Sequence, residues 1–274
     1  MTSEQNETLL FHIAYYSSEI KREDNCLGHE NKASQEYNIH VFNGVKKFLD
    51  EINKYNNFSK IDVEIDANSE NTYIKNLIKE SYNNINLNIT YYDFTSEHPF
   101  RLTTKHRFNM KKNINNYDWF AYSEDDTLIT IETIDFLKDN SISLYNKENK
   151  VYTIPRVVYD LNNNYFFSDI CHPSKKIICN NKLSAIPSQR YGACWFYPKI
   201  IMNKWINSSS FLDFNTNTSS IRVKMAYGFT DLEAIIPISE KNEPKIKCLH
   251  LGYCGKYYFK HKDGFHTLQF NKFI

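Results

Sequence analysis

The sequence predicts an α/β fold with a central, mainly parallel sheet flanked by helices. Apolar segments of strand length alternate with segments of helical spacing in the order β-α-β-α-β before the midpoint of the chain. Residues 119–122 (WFAY) form a continuous apolar run, which marks a strand covered on both faces. That run leads into three consecutive acids, Glu124, Asp125 and Asp126. In open α/β sheets ligands gather outside the carboxyl ends of strands, so acids placed there face a cleft.

Residues 8–16 (TLLFHIAYY) read as the first strand, with Ser17, Ser18 and Glu19 at its carboxyl end and His12 as a core histidine with a satisfied nitrogen. Residues 43–54 carry Val45, Phe48, Leu49 and Ile52 at helical spacing. Residues 61–65 alternate as a second strand ending at Asp66, Ala67 and Asn68; residues 72–82 follow as a helix and 87–94 as a third strand. After His98 and Pro99, residues 100–112 form a helix bearing Lys105, His106 and Arg107. This cluster reads either as a solvated basic face or as a phosphate contact made through the planar fork of Arg107.

For the acids themselves, persistent extended geometry puts Glu124 and Asp126 on one side and Asp125 on the other. Such a pair suits a hard divalent ion; the alternative is that the acids cap a helix over residues 130–140. Residues 131–137 continue as helix, and 151–159 as a strand that Pro155 bends or confines to an edge. Residues 160–182 look like an irregular polar excursion of the kind that forms lids or acceptor loops. In residues 189–197 (QRYGACWFY), Gly192 permits close backbone approach, and Trp195 suits either sugar stacking or the core. Residues 198–206 read as a helix, 208–220 as a Ser/Asn/Thr-rich loop, and 221–236 as helix-like, with Asp231 and Glu233 inside it. On a helix those two acids diverge, so only one faces a cleft, and Asp231 ranks first. Residues 247–258 include a strand-like apolar segment around His250.

The 274 residues suffice for one large domain or two small ones, and one is expected. A formal net charge of +1 demands no nucleic-acid or acidic-membrane partner. The six cysteines show no C-x-x-C pair and read as reduced core thiols. The first apolar run is too short for a signal core or a membrane span, which leads to the expectation of a cytoplasmic protein without an integral membrane segment.

The pieces His106-Arg107, Tyr117-Asp118 and Glu124-Asp125-Asp126, with a strand between the last two and a helix beyond, resemble glycosyltransferases of the GT-A fold. The acidic motif of that fold is usually D-x-D; this chain has E-x-D. The resemblance is specific over residues 102–130. It implies a single GT-A domain, with a nucleotide-binding half at about 1–130 and an acceptor-binding half at about 131–274. It implies transfer of a sugar from a UDP- or GDP-sugar to a glycan acceptor hydroxyl, with Mn²⁺ or Mg²⁺ as cofactor. The donor would lie near Tyr15, Ser17 and Asp66, with Glu124 and Asp125 beside it. Asp126 and His250 would ligate the metal together with phosphate oxygens, the imidazole favouring Mn²⁺. Arg107 and Lys256 would add positive charge to the leaving group, and Asp231 or Glu233 would take the acceptor proton. Two other classes fit the same residues: a nucleotidyl- or phosphotransferase using the acidic site, and a non-catalytic carbohydrate-binding module using the aromatic residues.

Overall fold

The computed structural model describes residues 6–16, 35–68, 72–93, 101–159, 165–167, 173–187, 194–212, 228–229 and 231–250. The chain divides into two compact units, Met1–Asp126 and Thr127–Ile274, so it leaves the first directly after the acid triplet.

In the first unit four strands alternate with three helices: β1 (Thr8–Tyr15), α1 (Gln35–Asn53), β2 (Lys60–Ala67), α2 (Thr72–Lys79), β3 (Ile85–Tyr91), α3 (Leu102–Lys112) and β4 (Trp119–Glu124). The strands lie in the order β4-β1-β2-β3, and every described pairing among them is parallel. The chain therefore steps from β1 to β2 to β3 in one direction and then crosses back to place β4 on the far side of β1. Because parallel crossovers are right-handed, reversing the direction of travel moves the connecting helix to the opposite face of the sheet. Helices α1 and α2 thus share one face, and α3 covers the other, touching β1, β2 and β4.

The two faces differ in chemistry because the strand sequence alternates. Toward α1 and α2, β1 sends Leu9, Phe11 and Ile13, and β2 sends Ile61, Val63 and Ile65, all buried. Helix α1 answers with Val41, Val45, Phe48, Leu49 and Ile52, and the rings of Phe11 and Phe48 lie 4.9 Å apart. Toward α3, β2 sends Asp62, Glu64 and Asp66, and β1 sends His12. Asn side chains from β3 answer the first two acids: Asn86 Nδ2 donates to Asp62 Oδ1 (2.7 Å) and Asn88 Nδ2 to Glu64 Oε1 (3.1 Å).

The Tyr117-Asp118 pair serves the amino end of this sheet. Asp118 Oδ2 accepts from the Thr8 backbone N–H and from its hydroxyl, both at 3.0 Å, fastening the entry of β4 to that of β1. The Tyr117 hydroxyl donates to Asp62, and Lys60 Nζ lies 2.6 Å from Asp62 Oδ2. Burial opposes the charge of Asp62, but hydrogen bonds from Lys60, Tyr117 and Asn86 outweigh it and hold the pKa below the ordinary carboxylate value.

The second unit holds two mixed sheets. One has the order β6-β12-β10-β9, formed by β6 (Lys150–Tyr152), β9 (Pro173–Cys179), β10 (Lys182–Pro187) and β12 (Glu233–Pro237). The other has the order β5-β13-β7-β8, formed by β5 (Thr127–Ile129), β7 (Arg156–Tyr159), β8 (Tyr165–Phe167) and β13 (Cys248–His250). Helix α4 (Ile131–Glu148) starts at Thr130, whose hydroxyl accepts from the Thr133 N–H, and stops at Asn149 with φ of 52°. Strand β11 (Cys194–Pro198) leads into helix α5 (Lys199–Ile206).

Four expectations are corrected here. The strand read over 151–159 is two strands in different sheets, split before Pro155, where the missing N–H cannot extend a ladder. The excursion read over 160–182 ends in a β-hairpin of residues 173–187 that runs past it, with Asn180 and Asn181 both at positive φ as a two-residue turn demands. The helix read over 221–236 is a strand over its last part: Glu233 opens β12 opposite Lys150, and Asp231 lies in the turn before it. Trp195 is 3% exposed and packs into an aromatic cluster with Tyr197, Trp205 and Phe211, so it offers no open face to a sugar. Gly228 borders that cluster because a Cβ there would come within 2.4 Å of the Tyr197 hydroxyl oxygen.

Residues 98–100, 188–193, 213–227 and 251–274 lie outside the described residues, and with them Gly192. No helix among the described residues is long and apolar enough to cross a membrane.

The Asp62 cluster yields a test. Because its folded pKa is depressed, its stabilisation is present above the unfolded value of about 3.9 and is lost as pH falls through the folded value. Tyr117→Phe removes one of the hydrogen bonds to the carboxylate and is expected to cost about 1–2 kcal/mol at pH 7. In denaturant unfolding the difference from wild type should shrink at pH 3; an equal penalty at both pH values would show that the ionised carboxylate is not what Tyr117 stabilises.

Candidate functional site at the carboxyl ends of β1, β2 and β4

The strand order reverses between β1 and β4, and at such a reversal doubly wound sheets form a crevice outside the carboxyl ends of the strands, where they bind ligands. The acid triplet stands there. Glu124 ends β4 in register with Ala14 of β1, and Ala14 is in turn in register with Asp66 of β2. Three neighbouring strands thus present Glu124, Ala14 and Asp66 at one level.

Asp125 and Asp126 occupy a turn between β4 and β5, so the alternation expected of Glu124, Asp125 and Asp126 does not continue past Glu124. Asp125 clamps the crevice. Its backbone N–H donates to the Ala14 carbonyl (2.9 Å), and its Oδ2 accepts from the Tyr16 N–H (2.8 Å). Asp126 is 8% exposed and Glu124 is half-buried. None of the three caps the helix that follows, since Thr130 fills that role four residues after Asp126.

Behind the triplet lies a buried polar layer between the sheet and α3. His12 Nδ1 is 2.8 Å from Asp66 Oδ2. An ionised carboxylate can only accept, so Nδ1 carries the proton. Asp66 also takes a hydrogen bond from the Tyr92 hydroxyl, whose pKa is raised by burial first and by Asp66 second. His106 and Arg107 point inward from α3, at 0% and 2% exposure, which overturns the reading of this cluster as a solvated basic face. The His106 ring stacks on Tyr122 of β4, with centroids 4.1 Å apart, and lies 6.1 Å from the His12 ring. Burial, with Arg107 and His12 adding, pushes the His106 pKa well below its ordinary value and keeps the ring neutral. Burial also lowers the Arg107 pKa to about 10, which leaves the guanidinium charged at neutral pH. Lys105 stays nearer solvent, its ammonium 5.3 Å from the centre of the Tyr92 ring.

The remaining candidates fall elsewhere. Tyr15 is a core residue whose hydroxyl has no hydrogen-bond partner among the described residues; burial, with Asp125 and Tyr73 adding, raises its pKa. It is the backbone of the next residue, Tyr16, that reaches the acids. Ser17 and Lys256 lie outside the described residues. His250 ends β13, in backbone register opposite Thr127 of β5. In the second unit, Asp231 Oδ2 accepts from the Ser210 hydroxyl (3.2 Å), and Glu233 Oε2 pairs with Lys150 Nζ (3.2 Å). A cavity of about 270 Å³ lined by Tyr55, Phe58, Lys60, Asn84 and Asn86 lies at the amino ends of β2 and β3, away from the acids.

One contact in the site and one in the second unit escaped the sequence reading. The Asp66 partner of His12 was hidden because nothing local marks which acid a buried histidine will meet across strands. Arg156 is buried in β7 with Nη1 3.4 Å from the Thr127 hydroxyl, and its one signal was an arginine inside an otherwise apolar strand.

No protein-family profile matches the chain. No curated protein matches it either. Among solved structures it is similar to S. aureus TarS, with 10% identity over 81% of this chain and 33% of that one, at a TM-score of 0.40. The chain thus spans about a third of that protein. It is similar to HddC from Yersinia pseudotuberculosis at 12% identity, 89% and 93% coverage and a TM-score of 0.37. It is also similar to residues 1–349 of S. aureus TarS at 11% identity, 82% and 57% coverage and a TM-score of 0.39.

The buried layer predicts a stability split between two acids at the same level of the sheet. Asp66→Ala strips His12 and Tyr92 of their acceptor and is expected to cost about 2–3 kcal/mol in urea unfolding. Glu124→Ala, at the half-buried end of β4, should cost less than about 1 kcal/mol. Equal penalties would show that the histidine–aspartate pair does not hold the strand ends.

Proposed function

We propose that the chain is a metal-dependent glycosyltransferase that moves a sugar from a UDP- or GDP-sugar to a hydroxyl of a glycan acceptor with inversion. One observation supports this most. The acid triplet ends β4 beside the crevice made by the strand-order reversal, and two of its carboxylates are buried there instead of extending into solvent.

The residues fit a hard divalent ion. Among the described residues no group of three or more His, Cys, Asp or Glu is arranged to hold a metal. The protein would therefore offer one or two carboxylates, with diphosphate oxygens completing the coordination, which is how Mg²⁺ is commonly held at phosphate sites. Bound through Asp126 and Glu124, Mn²⁺ or Mg²⁺ would supply the Lewis acidity that neutralises a departing diphosphate.

Asp125 has a separate part in this reading. With Oδ2 committed to the Tyr16 amide, it fixes the spacing of the β1 and β4 ends and so the mouth of the crevice. Asp66, oriented by His12, stands two strands from the triplet, a separation of roughly 10 Å that suits the ribose of a nucleotide spanning the strand ends. Arg107 is buried against the sheet, so it acts by holding positive charge behind the site and not as a direct phosphate contact. Lys256 is retained as a proposed cation for the leaving group. Asp231 is proposed as the base for the acceptor hydroxyl ahead of Glu233, whose carboxylate is held by the Lys150 ammonium.

A product assay tests the reading. With Mn²⁺, nucleotide-sugars and glycan acceptors, nucleoside diphosphate should be released, and Asp126→Asn should slow release at least about a hundredfold. Release of pyrophosphate would assign the acidic site to nucleotidyl transfer. Sugar binding that needs neither metal nor Asp126, without turnover, would assign the chain to the carbohydrate-binding modules.

A further inference from the structure

Two thiols in the second unit are placed for a chemistry that sugar transfer does not use. Cys194 opens β11 and Cys248 opens β13, 54 positions apart, and their Sγ atoms lie 3.1 Å from each other. Even carbon atoms, which are smaller, settle at about 3.5–4.0 Å when not bonded, so the sulfurs are in closer contact than ordinary packing gives. Both cysteines are buried and neither is in a disulfide. The Cys248 thiol also points at the Pro155 carbonyl, 3.6 Å away, and its backbone N–H donates to the same oxygen (3.1 Å). Among the described residues no third His, Cys, Asp or Glu joins them to make a metal-binding group. What remains for two thiols in contact is conversion to a disulfide.

We propose that Cys194 and Cys248 form a reversible dithiol–disulfide pair, oxidised by a low-molecular-weight disulfide, that fastens the start of β13 to the start of β11. One protein thiolate attacks the small disulfide, forming a mixed disulfide and expelling one small thiolate. The second protein thiolate then attacks the protein sulfur of that mixed disulfide, closing the Cys194–Cys248 bond and expelling the second small thiolate. The two protons lost by the cysteines end on the two small thiols, and two electrons pass from the protein to the reagent. The bond would tether the strand that ends at His250 to the strand that follows residues 189–193. Thr133 already grips the approach to β13, since its hydroxyl donates to the Lys247 carbonyl (2.8 Å) and accepts from the Lys247 N–H (2.9 Å).

The test uses the folded, full-length chain. It is incubated with excess glutathione disulfide, alkylated, digested without reductant and mapped by mass spectrometry. A Cys194–Cys248 peptide without retained glutathione, reversed by dithiothreitol, is the expected result, while Cys179, buried on β9 with its pKa raised by burial first, stays reduced. The oxidised chain should melt about 5–10 °C higher than the reduced one. Cys194→Ser and Cys248→Ser should each abolish the cross-linked peptide and the gain in melting temperature. The proposal is overturned if both thiols stay free in the native chain, if either pairs with another cysteine, or if the cross-link forms only after unfolding in urea.

Discussion

The first unit depends on a change of direction. After β3 the chain returns across β2 and β1 and lays β4 on the far side of β1, and the right-handedness of each crossover forces α3 to the face opposite α1 and α2. From this one step come both the crevice between β1 and β4 and the segregation of the sheet into unlike faces. An apolar face under α1 and α2 supplies the hydrophobic drive. The other face is crowded with groups that would be costly to bury alone: Asp62, Glu64, Asp66 and His12 from the strands, His106 and Arg107 from α3. The acids are tolerated because residues of the strands and their flanks answer them: Lys60, Tyr117 and Asn86 for Asp62, Asn88 for Glu64, and His12 and Tyr92 for Asp66.

This arrangement explains how the segment from α3 to the acids works as a unit. Tyr117 and Asp118 secure β4 at the amino end of the sheet, through Asp62 and Thr8. His106 braces the middle of β4 by stacking on Tyr122. Asp125 secures the carboxyl end by holding the Tyr16 amide. Strand β4 is thus fixed at three levels, and Glu124 and Asp126 flank the lowest of them. In the proposed reaction most of these residues never meet substrate; they set where the carboxylates stand.

The parts of the fold that local pattern controls were legible in the sequence. Alternation in residues 61–65 and the apolar run 119–122 both became strands, and the helical spacing of Val45, Phe48, Leu49 and Ile52 became the buried stripe of α1. What failed was decided at a distance. The segment holding Asp231 and Glu233 has apolar residues dense enough for either period, and pairing of β12 with β6 and β10 settled it as strand. The sequence left His106 and Arg107 between a solvated face and a phosphate contact, because the strands that bury them, including Tyr122 under the His106 ring, are brought against α3 only by the fold. Trp195 was left between a sugar platform and the core because Trp205, whose ring it meets, comes from a later element. At the candidate site, the position of the triplet followed from the strand-end rule, but the commitment of Asp125 to a backbone amide could not be read without the register of β1 against β4.

In the proposed reaction the carboxyl end of β4, and not its amino end, grips a metal-linked diphosphate. Mn²⁺ binding followed by electron paramagnetic resonance, with and without UDP or GDP, tests it in three proteins: wild type, Asp126→Asn and, at the opposite end of the same strand, Asp118→Asn. Nucleotide-enhanced Mn²⁺ binding is expected in the wild type, weakened at least about tenfold in Asp126→Asn and retained in folded Asp118→Asn. Equal binding by wild type and Asp126→Asn would contradict it.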